Sequence, residues 1–269
     1  MIVSSSVVEE RGNGNGNAVG HTDHGRGKGL GHDKRAAEAM ADGEYGLELS
    51  GISHVNHTSA NSTTGQATLA DGTKLNTEAR DGEISIRQAP LGGPDGDALF
   101  LDTDNANGRL RVNVEFDANN RVKLGELDTL NFDYFIQSSS QTNQIPVIRL
   151  LVDADGDLRT TNDRGELVFE YAYQGLGATD QGSWRNADLV GGDWVAWQRS
   201  FGQNRDQISN MTELSDWADA DGFTPVGGLT FNANSLVLGW SVALGSGNGT
   251  NEIFLDDLQV GGVTYDFAI

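Results

Sequence analysis

A strict alternation of apolar and polar residues over 109–116 limits what this chain can fold into more than any other feature. Leu110, Val112, Val114 and Phe116 fall on one side of an extended segment, and Arg109, Arg111, Asn113 and Glu115 on the other. That period of two suits a half-buried strand and no helix. Similar short runs follow one another along the chain: GLELSGI, EISIRQA, ALFLD, LNFDYFI, IPVIRLLV, ELVFEYAY, DWVAWQRSF, GLTF, SLVLGWSVAL and EIFLDDLQV. Asp-Gly, Asn-Gly and Gly-Gly pairs lie between most of them and mark tight turns. About ten strands without an intervening βαβ rhythm predict an all-β antiparallel sandwich. One late helix is expected in MTELSDWADA.

The first 42 residues read differently. Residues 11–32 are Gly-, Asn- and His-rich and have little to bury. Ahead of them stand Ile2, Val3, Val7 and Val8, a short β-prone arm on a flexible tether. Residues 33–41, DKRAAEAMA, predict a short helix closed by Asp42-Gly43. The expected organisation is therefore an arm, tether and helix over 1–42, and one β-sandwich domain over 43–269. A strand donated from such an arm to a neighbouring sheet would drive self-association into a filament or surface layer.

Charge excludes several partners. Asp plus Glu number 39 against 18 for Lys plus Arg, a formal charge of −21. Nucleic acid and anionic membrane surfaces call for the opposite sign. Only four of the basic residues are lysines, which together with the acidity fits a secreted or surface-exposed protein adapted to high salt. With no cysteine there are no disulfides and no thiolate chemistry. No apolar run is long enough to span a membrane. The opening MIVSSSVVEE lacks a signal-peptide pattern, so an exported form is expected to be a processed chain. Sequons stand at Asn56, Asn61, Asn210 and Asn248.

Calcium is the expected cofactor. Asp153, Asp155 and Asp157, with Asn162 and Asp163 following, lie between two strong strands, and carboxylates at every second position of a curling loop converge on a hard cation. The spacing is not that of an EF-hand. Asp102 and Asp104 mark a second acidic stretch, and Asp257 a third. Catalysis has weaker support. All five histidines, His21, His24, His32, His54 and His57, lie in the first fifth of the chain, three of them in the Gly-rich tether, so no Ser–His–Asp triad is expected. Glu115 and Glu170 are the carboxylates to consider for glycoside hydrolysis, and both read more simply as outward strand residues. No catalytic residue is assigned. Among the aromatics, Trp240 and Trp197 read as core. Trp184 and Trp194 read as exposed rings able to stack on a sugar.

The stretch 127–260, through LDTLNFDYFIQ, IPVIRLLVDADGDLRTTNDRGELVFEYAY and the closing EIFLDDLQVGG, resembles the jelly-roll β-sandwiches that include many carbohydrate-binding modules and related surface domains. The resemblance implies that fold, and it implies a structural calcium near the last strand to which Asp256 or Asp257 would contribute. Three functions follow as expectations: foremost an assembling, calcium-stabilised structural subunit without enzymatic activity, then a polysaccharide-binding module, then a polysaccharide-degrading enzyme.

Overall fold

The computed structural model describes residues 44–46, 54–57 and 63–68, and residues 74–267 apart from 94–95, 202–204 and 246–248. The arm, tether and helix expected within 1–42 lie outside the described residues. In chain order the first strands are β1 (Glu44–Gly46), β2 (His54–His57), β3 (Thr63–Thr68), β4 (Lys74–Arg80), β5 (Gly82–Gln88) and β6 (Asp97–Thr103). There follow β7 (Arg109–Glu115), β8 (Val122–Lys123), β9 (Leu130–Ser139), β10 (Val147–Asp153), β11 (Arg164–Phe169) and β12 (Trp184–Asp188). The last are β13 (Val195–Ser200), β14 (Arg205–Glu213), β15 (Leu236–Leu244), β16 (Asn251–Val260) and β17 (Val263–Asp266), with one helical turn, α1 (Leu214–Trp217), after β14.

These strands form two sheets. The eight-stranded sheet runs β1-β17-β16-β6-β5-β2, with β9 on the other side of β16 and β12 beyond β9. The nine-stranded sheet runs β14-β13-β11-β10-β15-β7-β4-β3, with β8 beside the start of β15. All described pairings are antiparallel except β1 with β17. β16 pairs with β9 along its length, with β6 over its first half and with β17 over its end. β15 likewise lies between β10 on one side and β7 and β8 on the other.

Alternation explains how the sheets close on each other. Leu110, Val112, Val114 and Phe116 are all buried, as their spacing predicts. They meet Leu99, Leu101, Phe132, Ile253 and Leu255 of the opposite sheet in one apolar layer. Each such side chain removed from water contributes about 1.5–3 kcal/mol before chain entropy is subtracted. The molecule is thus an antiparallel two-sheet sandwich.

Two local expectations need correction. The helix expected in MTELSDWADA is a single turn, because Met211, Thr212 and Glu213 still belong to β14, where Thr212 and Glu213 pair with Ala196 and Val195. Trp217 anchors that turn: it is fully buried and its indole N–H donates to the Ala196 carbonyl at 3.3 Å. GLTF contributes no strand, only the isolated bridge between Phe231 and Phe223.

Candidate functional site

The outward face of the nine-stranded sheet carries a cleft of about 500 Å³. Its floor follows from register. Asn76, Asn113, Ser241 and Arg149 are successive cross-strand partners on β4, β7, β15 and β10. The next row runs Glu115, Gly239, Leu151, Glu166, Arg199 from β7 to β13. Side chains two apart on a strand share a face, so both rows point away from the core. Glycine is required at 239, where a Cβ would lie 2.0 Å from the Val114 carbonyl oxygen. Its bareness also keeps the middle of the floor open.

Electrostatics concentrate on Glu166, whose side chain is only 8 % exposed. Three guanidinium groups surround it: Arg111 at 3.8 Å, Arg149 at 3.9 Å and Arg199 at 3.7 Å. None of these pairs is at hydrogen-bonding distance. Burial, with the neighbouring Arg111 charge adding to it, pushes the Arg149 guanidinium down to about 10. In the cleft Glu166 Oε2 and Ser241 Oγ are buried without a hydrogen-bond partner, as are Nε and Nη1 of Arg149, the cross-strand neighbour of Ser241. Buried polar atoms are ordinarily satisfied, so such a group points to a ligand or to ordered water.

Phe201 stands at one wall of the cleft, 43 % exposed, with the Arg199 guanidinium 6.0 Å from its ring centre. Alternation along DWVAWQRSF would put Phe201 on the same face as Val195 and Trp197, the latter read as core. The phase of β13 is the reverse. Ala196, Gln198 and Ser200 point inward, while Trp197 and Arg199 point outward, Trp197 joining Val147 and Val168 in a separate outer cluster. The inward Gln198 is tolerated because its amide bonds the Leu229 backbone N–H and C=O and the Ser200 hydroxyl. The reversal also corrects Trp194, which is 8 % exposed, belongs to the main core and packs edge-on against Tyr171 at 5.8 Å. It offers no stacking surface.

Trp184 lies on the opposite face of the molecule, outside the eight-stranded sheet. Phe100, Phe254, Phe135 and Trp184 form a row across β6, β16, β9 and β12. The Trp184 ring sits 5.7 Å from Phe135, and its indole N–H donates to the Pro90 carbonyl. The loop after β5 presses so close that a Cβ at Gly93 would lie 2.8 Å from the ring. Trp184 is a packing residue here, which corrects its reading as an open platform.

The loop between β10 and β11 brings Asp153, Asp155 and Asp163 together, one carboxylate oxygen of each within 4.8 Å of the others, and this group could hold a metal ion. The remaining ligands expected there do other things. Asp157 turns out to grip Arg159 at 2.7 Å, and Asn162 is exposed. The alternate carboxylates serve the turn itself: Asp153 accepts from the Gly156 N–H and Asp155 from the Asp157 N–H. Arg164 donates to the second oxygen of Asp153 at 2.9 Å. Asp102, Asp104 and Asp257 do not join any metal-competent group among the described residues. Asp102 instead shares a row with Glu83 and Glu252. Asp257 occupies an irregularity of β16 at φ 47°.

Glu115 lines the cleft, whereas Glu170 follows β11 and is raised above the usual carboxylate range, chiefly by burial. Asn56 lies in β2 and Asn210 in β14. Asn61 and Asn248 lie outside the described residues, as do Ile2, Val3, Val7 and Val8. Among the described residues no helix is long and apolar enough to cross a membrane.

No family model and no curated protein matches the chain. Among solved structures it is similar to a β-1,2-glucanase from Parabacteroides distasonis, at 13 % identity and a TM-score of 0.31, over 74 % of this chain and 22 % of that one. The chain therefore spans about a fifth of the glucanase chain. It is also similar to a family 11 carbohydrate-binding module from Clostridium thermocellum, solved with a β-1,3-1,4-mixed-linked tetrasaccharide, at 11 % identity and a TM-score of 0.30, over 80 % of this chain and 91 % of that one. Both likenesses are remote, and the functional reading below rests on the cleft.

Proposed function

We propose that the chain is a non-catalytic carbohydrate-binding module whose glycan lies across the outward face of the nine-stranded sheet. One observation carries this reading: an open cleft is lined by Glu166 and Ser241, whose Oε2 and Oγ are buried without a hydrogen-bond partner, and Arg149 Nε and Nη1 beside them lack one too. Leaving such atoms unpaired costs about 1–3 kcal/mol each, and sugar hydroxyls both donate and accept. Asn76 and Asn113 supply further amides in the same row, and Phe201 an exposed ring for the apolar face of a pyranose.

Hydrolysis fits less well. Glu115 and Glu166 stand three strand spacings apart, roughly 14 Å along the sheet, whereas glycosidase carboxyl pairs lie about 5–9.5 Å apart. Glu166 is moreover enclosed by arginines. The assembly reading draws on residues 1–32 and has no observation among the described residues behind it. A cell-surface or extracellular setting accords with glycan binding.

A glycan array followed by calorimetry tests the proposal. Asn113→Leu should abolish or strongly weaken binding while the melting temperature stays within a degree or two. Folded protein that binds no glycan at millimolar concentration would overturn it. Beside the cleft, Asp153, Asp155 and Asp163 suit calcium, an oxygen-seeking cation, in a structural role. Millimolar calcium should then raise the melting temperature over chelator, and Asp155→Ala should remove the rise. Identical curves would dismiss the ion.

A further inference from the structure

Resting on the glycan-binding reading, we propose that Glu166 decides what the cleft accepts: its Oε2 takes a hydrogen bond from a ligand hydroxyl, and its charge confines the ligand to uncharged glycans. The side chain lines the cleft, is only 8 % exposed, and has Oε2 buried without a hydrogen-bond partner. Arg111, Arg149 and Arg199 stand 3.7–3.9 Å away, close enough to balance its charge and too far to fill its acceptor site. A buried acceptor in that position calls for a donor from outside. Sites built around a ligand hydroxyl discriminate strongly against ligands that lack it.

Charge across this face is paired strand by strand. Glu78 is the cross-strand neighbour of Arg111, and Glu115 that of Lys74. Arg149 has Glu170 as a charge neighbour besides Glu166. An anionic sugar group entering the cleft meets Glu78, Glu115 and Glu166, all of which line it. An ammonium group meets Arg111, which lines it as well, and the guanidinium groups gathered behind Glu166. A charge of either sign therefore finds a like charge, and specificity commonly rests on such repulsion. Between the charges the cleft offers neutral groups: the Asn76 and Asn113 amides, the Ser241 hydroxyl and the Leu151 side chain beside bare Gly239. A hydroxyl can use all of these and is opposed by none.

The test uses hydroxyethylcellulose, galactomannan, carboxymethylcellulose, polygalacturonate and soluble chitosan oligosaccharides. In about 0.5 M sodium chloride the field of the chain's net charge of −21 is screened beyond about 4 Å, so contacts inside the cleft decide. Cleft binding is the part that Asn113→Leu removes. A neutral polymer should bind there about tenfold or more tighter than the acidic polymers or chitosan, and cleft-dependent hits on the glycan array should likewise be uncharged. Glu166→Gln should weaken neutral binding about tenfold. It should also admit carboxymethylcellulose or polygalacturonate about tenfold more tightly than the parent does, a gain that misfolding cannot produce. If melting curves show that Glu166→Gln does not fold, Glu166→Asp decides: it keeps the charge and withdraws the oxygen by one methylene, so neutral binding should fall about tenfold while acidic polymers stay excluded. Cleft binding of an acidic polymer or chitosan as tight as that of the neutral ones overturns the inference and leaves the glycan-binding reading standing. Neutral binding indifferent to the Glu166 variants overturns it too, as does a folded Glu166→Gln that gains no acidic polymer. Failure of all five polymers and of the glycan array removes both.

Discussion

The two outer faces of this sandwich are built from the same strand alternation and come to opposite ends. Outside the eight-stranded sheet the aromatic row from Phe100 to Trp184 is closed over. Arg87 lies 3.8 Å above the Phe100 ring, and the loop after β5 covers Trp184. Polar side chains there find one another: Ser85 and Arg87 donate to Glu83, and Gln137 and Ser138 donate to Glu252. Outside the nine-stranded sheet the floor stays open and several polar atoms stay unpaired. The richer aromatic surface is thus the closed one, and the plainer polar surface is the one proposed to take a ligand. Aromatic content marks a site only when the ring has nothing packed on it.

The largest expected effect separates the faces directly. Trp184→Ala should remove the support of the loop after β5 and cost about 3 kcal/mol, read as a lowered denaturation midpoint. Glycan affinity per folded molecule should not change. A variant that stays fully stable yet loses glycan binding would reverse the roles assigned to the two faces.

Phe201→Ala sharpens the same contrast from the other side. The ring is exposed, so stability should change by less than about 0.5 kcal/mol. Loss of a stacking surface should weaken glycan binding about three- to tenfold by calorimetry. Unchanged affinity would move the ligand away from that wall.

How much of this was readable beforehand depends on the strand. In β7 every second residue is apolar and inward, so burial followed from spacing alone. In β13 the rule inverts: the inward face carries Gln198 and Ser200, and the outward face carries Trp197 and Arg199, with Phe201 beyond. A buried glutamine satisfied by the Leu229 backbone leaves no trace in local periodicity. Local rules commonly fail next to functional surfaces, and here the misread strand borders the cleft. Arg149 and Glu166 were visible as lone charges in apolar strands, but their meeting depends on cross-strand register that spacing does not reveal. The acidic loop was legible as a cluster. Its use of carboxylates to cap backbone N–H groups, and of Arg159 and Arg164 as partners, was not.

The smallest effect concerns the closed face. Burial raises Asp102 to about 6, with Asp104, Glu252 and Glu83 adding repulsion. The folded chain holds this proton more tightly than the unfolded chain, so stability from this group falls as pH rises from about 4 to about 6. Acidification from pH 7 toward 5 should therefore stabilise this region. Asp102 is partly solvent-screened, and the gain should be about 1 kcal/mol or less. Asp102→Asn should flatten that part of the stability–pH curve. A variant with the same slope as the parent would place the strain elsewhere.

The placing of β15 and β16 has a consequence for biosynthesis. β15 joins β10 to β7 in one sheet, and β16 joins β9 to β6 in the other, yet both strands lie beyond residue 235. Until they emerge from the ribosome, each sheet consists of two halves with open edges. Closure depends on contacts distant in sequence, which slow folding and leave sticky edges in the meantime. The nascent chain therefore stays unfinished through most of its synthesis, a state exposed to aggregation. A stop codon shortly before residue 236 should leave a product with neither sheet intact, although about seven-eighths of the chain and the Asp153 loop would be present.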